Sequence, residues 1–156
     1  MLKVGQAAPA FELPDADMNL VSLDTFRGAN IVVLYFYPKD DTPGCTMEAI
    51  EFSERQDGFL KHDAVVLGVS MDDCLSHGSF RDKHGLAVQL LADVEGEVCA
   101  QYGVLYEKEV EGKGRKRCIR RSTFVINKMG ELRHVLYGVS ARGHAAEVLN
   151  LIREMR

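Results

Sequence analysis

Residues 31–48 read IVVLYFYPKDDTPGCTME, an apolar run that stops at a proline, passes two acids and reaches a lone cysteine. Seven consecutive apolar residues, β-branched or aromatic for the most part, are what a strand covered on both faces needs. Pro38 ends the run, and Thr42-Pro43-Gly44 reads as a turn before a helix spanning about 46–61. A buried strand that leads through a polar turn into a helix belongs to an open α/β sheet. In such sheets, sites gather beyond the carboxyl ends of the strands. Cys45 stands at that edge.

The rest of the chain repeats the pattern. AVVLGVS (64–70) and STFVIN (122–127) are further buried-strand runs, and ELRHVLYG (131–138) alternates as a hairpin partner across KMG (128–130). Residues 73–84 read as a helix ended by Gly85, a C-terminal cap. EGEVCAQYGV (95–104) is a helical stretch. Ala145, Val148, Leu149, Ile152 and Met155 form one apolar stripe on a last helix. FELPDADMNLVSL (11–23) predicts an N-terminal β-hairpin around Asp15–Asn19. The sum is a single α/β domain over residues 1–156, a central sheet flanked by helices.

The bulk numbers bound the function. The chain has 156 residues, a formal net charge of −4 and 27% charged residues. This balance argues against nucleic-acid binding as the main activity, which calls for a basic excess. No run approaches the ~18 apolar residues of a membrane helix, and MLKVGQAAPAFELPD (1–15) has no apolar core for a secretory signal, so a cytoplasmic protein is expected. Residues 107–121, EKEVEGKGRKRCIRR, hold a basic run from Arg115 to Arg121 preceded by glutamates. We read it as a glycine-hinged surface loop with solvated charges rather than an anion or nucleic-acid patch.

The four cysteines, Cys45, Cys74, Cys99 and Cys118, are dispersed with no C-x-x-C pair, which disfavours a zinc knuckle or a dithiol site. At a helix N-terminus, free N–H groups and the helix dipole favour a negatively charged sulfur. Such a position can favour the thiolate over the thiol. Thr42 offers a hydroxyl that can donate and accept, and Glu48 lies one helical turn on. A phosphatase loop would need arginine where Glu51 stands, a thioredoxin-type motif a cysteine where Glu48 stands. A cysteine protease would need a histidine base, and nothing ties His62, His77, His84, His134 or His144 to Cys45. What remains is a thiolate that attacks a substrate with a good leaving group.

FYPKDDTPGCTMEAIEF (36–52) resembles the active-site segment of peroxiredoxins of the Q type, the bacterioferritin comigratory protein group. Pro38, Thr42 and Cys45 meet the Pro-x-x-x-Thr-x-x-Cys pattern, and Cys45, Thr46 and Glu48 the Cys-Thr-x-Glu pattern. Arg121, Ser122, Thr123 and Phe124 match the second signature, Arg-Ser-Thr-Phe, and VVLGVSMDDCLSHGSFRDKHGL (65–86) resembles the strand and helix between them. The resemblance covers nearly the whole chain. It implies a thioredoxin-like fold, reduction of hydrogen peroxide and organic hydroperoxides, and no cofactor or metal. Cys45 is then the peroxidatic cysteine, oxidised to a sulfenic acid. Thr42 hydrogen-bonds the peroxide, Pro43 shields the sulfenate, Arg121 polarises the O–O bond and Glu48 orients Arg121. Arg120 is a solvated neighbour.

The chain departs from the family at the resolving cysteine. Ile50 and Arg81 occupy the two familiar places, and the last helix has no cysteine to suit a domain-swapped dimer. Cys74, at the start of the 73–84 helix, is the best-placed partner within the chain. Cys99 reads as core filler. Cys118, flanked by Lys and Arg in the basic loop, is an intermolecular thiol or an idle one. Two mechanisms are therefore open: an external thiol, glutathione or a glutaredoxin, reduces the sulfenate, or Cys74 forms a disulfide that thioredoxin reduces. The first is favoured, and a monomer is expected, with a dimer the alternative. The rival reading from another class is a redox sensor that forms mixed disulfides through Cys45. A holdase has no obvious apolar segment, and a metal site through Cys74 and His77 lacks two further ligands.

Overall fold

The structure is a computed structural model that describes residues 1–155; the last residue of the expected 1–156 span lies outside the described residues. An N-terminal hairpin pairs β1 (Glu12–Pro14) with β2 (Leu20–Ser22), with Asp15 N–H bonded to Asn19 O across the turn. Then follow β3 (Ile31–Phe36), α1 (Pro43–Glu54), α2 (Gln56–Leu60), β4 (Ala64–Ser70), α3 (Cys74–His84), β5 (Gln89–Ala92) and α4 (Glu97–Gln101). A second hairpin, β6 (Leu105–Val110) and β7 (Gly114–Ile119), precedes β8 (Ser122–Ile126), β9 (Leu132–Tyr137) and α5 (His144–Arg153).

The central sheet is mixed, in the order β5-β4-β3-β8-β9, with β3, β4 and β5 parallel and β8 antiparallel to both β3 and β9. β3 lies in the middle, and its alternation explains the unbroken apolar run. Val32, Leu34 and Phe36 join Leu67, Phe124 and Tyr102 in a core on one face. Val33, Tyr35 and Tyr37 join Cys45, Phe52, Phe80 and the α5 residues Ala145, Val148, Leu149 and Ile152 on the other. Two-sided burial leaves the polar turn after β3 as the first place where the chain meets solvent. No helix among the described residues is long and apolar enough to cross a membrane.

Three expectations need correction, and one strand went unread. The helix expected from Thr46 begins three residues earlier, because Pro43 suits the first helical position, where its missing N–H is no loss. It breaks at Arg55, so 46–61 is two helices rather than one. The basic stretch read as a loop is mostly β7: it pairs with β6 so that Glu107 faces Arg117 and Glu109 faces Arg115, with Gly112 and Gly114 at positive φ in the turn. These two opposite-charge pairs favour the ladder in spite of Lys108 facing Lys116 between them, and a loop reading missed that register. β5, only four residues long, carried too short a pattern to be read.

Candidate active site

Thr42 caps α1 from an extended conformation, and the first bond of the helix joins Thr46 N–H to Thr42 O at 2.8 Å. Cys45 is therefore the third residue of α1, in the turn whose N–H groups precede the intrahelical ladder. Its side chain is 2% exposed and packs with Ala49 and Phe52 against β3. α1 is also tied to α5, since Gly143 N–H donates to the Glu51 carboxylate at 2.8 Å.

Arg121, directly before β8, reaches across to α1. Its Nη2 lies 3.4 Å from Cys45 Sγ and its Nη1 2.6 Å from Glu48 Oε1. The guanidinium is mostly covered, with a side chain 15% exposed, and Glu48 is fully buried. Burial works against the charge on Arg121, but Glu48 and Cys45 beside it outweigh that and hold it more firmly protonated than usual. Burial likewise pushes the Glu48 carboxyl up to about 7, with Arg121 opposing the shift. Gly44 makes the approach possible: a Cβ there would sit 3.1 Å from Arg121 Nη2.

The Thr42 hydroxyl donates to Lys39 O at 2.8 Å, which leaves its lone pairs to accept a hydrogen bond. Pro43 and Pro38 are exposed at the mouth of the turn. Cys45, Glu48 and Arg121 thus meet at the carboxyl end of β3, with Thr42 and Pro43 immediately before the cysteine at the start of α1. Arg120 points into solvent. The contribution of Gly44 was legible in the sequence only as a turn residue, because the partner it accommodates lies 77 positions away.

The other thiols separate by environment. Cys99 is fully buried, and burial together with the Asp93 carboxylate pushes its thiol far above the ordinary range, so it is core filler. Cys74 is the first residue of α3, half-buried, and Cys118 is half-buried on β7 with Sγ 3.9 Å from Lys116 O. All four cysteines are free. No histidine bonds to Cys45 among the described residues: His77 bonds to Asp40, His84 to Asp41 and His144 to Thr123. The Cys74–His77 metal pairing has no support, since both His77 ring nitrogens are engaged, with Asp40 Oδ2 and Leu91 O.

Known proteins resemble this chain in sequence and fold. Residues 4–135 match the AhpC/TSA family. Peroxiredoxin Bcp of Bacillus subtilis is 40% identical over 154 residues, 99% of this chain and 97% of its own length. Among solved structures, a cysteine-to-serine mutant of Xylella fastidiosa PrxQ superposes with a TM-score of 0.90 at 32% identity, over 98% of this chain and 96% of that one. The Xanthomonas campestris bacterioferritin comigratory protein, solved as trapped intermediate and ligand complexes to explain its alkyl peroxide reduction, gives 0.85 at 35% identity over 92% and 90%. These likenesses bear out the thioredoxin-like fold with its N-terminal hairpin. The chain belongs to the AhpC/TSA family and, within it, to the Bcp or Q-type peroxiredoxins, thiol-dependent peroxidases.

Proposed function

We propose that Cys45 is the attacking cysteine of this peroxidase and that Thr42, Pro43, Glu48 and Arg121 serve it. The observation that carries the reading is the single guanidinium shared between the Cys45 sulfur, at 3.4 Å, and a buried carboxylate, at 2.6 Å. Donors held in place where charge develops stabilise the transition state without reorganising.

The Cys45 thiolate attacks one oxygen of the hydroperoxide, the S–O bond forms as the O–O bond breaks, and the sulfur is oxidised to a sulfenic acid. The departing oxygen takes a proton and leaves as water or alcohol. Thr42 accepts a hydrogen bond from the peroxide O–H, Arg121 holds the sulfur and the breaking bond, Glu48 orients Arg121, and Pro38 and Pro43 wall the pocket from water. An external thiol then attacks the sulfenate, releasing water and leaving a mixed disulfide that a second thiol reduces.

The external route is favoured over Cys74 because the first turn of α3 is bonded down: Asp73 accepts from Ser76 N–H at 2.8 Å, and Ser76 and His77 both bond to Asp40. A disulfide needs Cα atoms within roughly 7 Å, and moving Cys74 toward Cys45 breaks these bonds. Glutathione or a glutaredoxin is the reductant in this reading, and thioredoxin in the Cys74 alternative. Such reductants suit a cytoplasmic protein. We read the protein as a monomer, since the Arg121, Glu48 and Cys45 contacts that carry the reading form without a second copy.

The test is intact-protein mass spectrometry after one equivalent of hydrogen peroxide, with a sulfenate trap and peptide mapping. The expected product is a trapped sulfenic acid on Cys45 with no disulfide. An unmodified Cys45 overturns the assignment.

A further inference from the structure

The turn that delivers Thr42 and Cys45 to the site is held from outside α1. Asp40, 7% exposed, lies at its centre. Its carboxylate meets three donors: the Tyr37 hydroxyl on Oδ1 at 2.6 Å, the Ser76 hydroxyl on Oδ2 at 2.8 Å, and His77 Nδ1 on Oδ2 at 2.7 Å. Its backbone N–H donates to Asp72 Oδ2 at 2.8 Å, and the Ser70 hydroxyl fixes that oxygen at 2.7 Å. His77 is fully buried, and its other nitrogen, Nε2, lies 2.9 Å from Leu91 O on β5.

The neighbouring residue is held in the same way. Asp41 has a φ of 59°, in the left-handed region that aspartate enters more readily than most non-glycine residues. Lys83 Nζ at 2.7 Å and His84 Nε2 at 2.9 Å, both on α3, grip its carboxylate. The Thr42 hydroxyl in turn hangs on Lys39 O, so its direction is inherited from this turn.

The donors on the Asp40 and Asp41 carboxylates thus come from the end of β3 or from α3, and none comes from α1. We propose that Asp40 and His77 are positioning residues for the Cys45 chemistry, a buried clamp through which α3 sets the 38–42 turn and so places Thr42 and Pro43 against the sulfur. The clamp rests on Cys45 being the attacking thiol. Asp40, Asp72 and His77 present their ligand atoms within 4.8 Å of one another. These atoms are spent on hydrogen bonds, Asp72 Oδ2 accepting two and the histidine–aspartate contact being a direct bond, so the cluster is a clamp and not a cation site.

The two ring nitrogens can be separated by substitution. An asparagine amide places its nitrogen where Nδ1 stands and keeps the donor to Asp40. A glutamine amide reaches the Nε2 position and keeps only Leu91. The experiment measures the second-order rate of Cys45 oxidation by hydrogen peroxide in His77→Asn, His77→Gln and Tyr37→Phe, beside the thermal midpoint of each.

His77→Gln is expected to lose roughly 10- to 100-fold in rate, the scale of a misplaced catalytic group, with His77→Asn recovering most of it. Tyr37→Phe removes the bond to Asp40 Oδ1 and the longer contact of the same hydroxyl with His77 Nδ1 at 3.4 Å, keeps the ring that packs in the core, and is expected to lose severalfold in rate. A purely structural role lowers the midpoints of both histidine variants without splitting their rates. Equal oxidation rates in the two, or, where neither folds, a wild-type rate in Tyr37→Phe, overturns the clamp alone. A wild-type Cys45 that never oxidises overturns the peroxidase reading first, and the clamp with it.

Discussion

Arg121 Nη1 binds one oxygen of the Glu48 carboxylate at 2.6 Å, while the other oxygen, Oε2, is buried with no hydrogen-bond partner among the described residues. A fully buried carboxylate satisfied on one side only is expensive to ionise, which is why its pKa rises to about 7 in spite of the arginine.

The stability of the fold carries the sign of that shift. Between the ordinary carboxyl value of 4.5 and about 7, the folded chain keeps a proton that the unfolded chain has released. Stability contributed by Glu48 is therefore complete below 4.5 and is lost as pH rises through 7. The loss is at most about 3.5 kcal/mol at ~1.4 kcal/mol per pKa unit. Urea unfolding from pH 5 to 8 should show this slope in the wild type and a flatter one in Glu48→Gln. Equal slopes in the two proteins would mean that Glu48 is ionised throughout.

Arg121→Ala should slow Cys45 oxidation by hydrogen peroxide by roughly 100-fold or more, the usual cost of removing a preorganised donor from developing charge. Arg121→Lys keeps the charge but not the fork that spans sulfur and carboxylate, so it should recover only part of the rate. Stopped-flow measurement of sulfenate formation reads both. A wild-type rate in the alanine variant removes Arg121 from the chemistry.

Gly44→Ala should move rate and stability in opposite directions. Position 44 is helical without a positive φ, so alanine should gain up to ~1 kcal/mol of helix propensity there. Its Cβ, however, would stand 3.1 Å from Arg121 Nη2 and press the guanidinium off the sulfur. A rate loss of about tenfold at an unchanged or higher thermal midpoint is expected, since small displacements of a catalytic group are costly. A wild-type rate would show that the arginine shifts aside at no cost.

The sequence made the strand-turn-helix around Cys45 legible because burial on both faces of β3 forces an uninterrupted apolar run, and Pro43 and Gly44 punctuate its end. Thr42 and Glu48 could be placed beside Cys45 because each stands three positions from it. Arg121 was visible only through the family signature, since a contact between positions 76 apart leaves no periodicity. The Asp40–His77 bond spans 37 positions and was hidden for the same reason: the aspartate read as a turn residue and the histidine as one of five. The β6–β7 hairpin escaped because its strands alternate charge with charge rather than apolar with polar, so only the register reveals the pairing.

Native alkylation should sort the thiols. Cys99 lies in the core, and burial plus the Asp93 carboxylate hold its thiol protonated. Iodoacetamide at neutral pH should leave Cys99 untouched until denaturant is added, while the half-buried Cys74 and Cys118 react slowly. Peptide mapping that finds Cys99 modified in the folded protein would mean that α4 opens far more readily than its packing implies.

The fate of the sulfenate decides between the two reductive routes. Cys74 sits in a turn fixed by the Asp73 cap and by the Ser76 and His77 bonds to Asp40, so reaching Cys45 would dismantle the turn that shapes the peroxide pocket. Cys74→Ser should therefore sustain peroxide turnover with glutathione and glutaredoxin at a rate close to wild type, whereas Cys45→Ser should show none. After one equivalent of peroxide the wild type should gain one oxygen at Cys45 rather than lose two hydrogens. A two-hydrogen loss mapped to Cys45 and Cys74, with turnover on thioredoxin that Cys74→Ser abolishes, would mean that the first turn of α3 unwinds in each catalytic cycle.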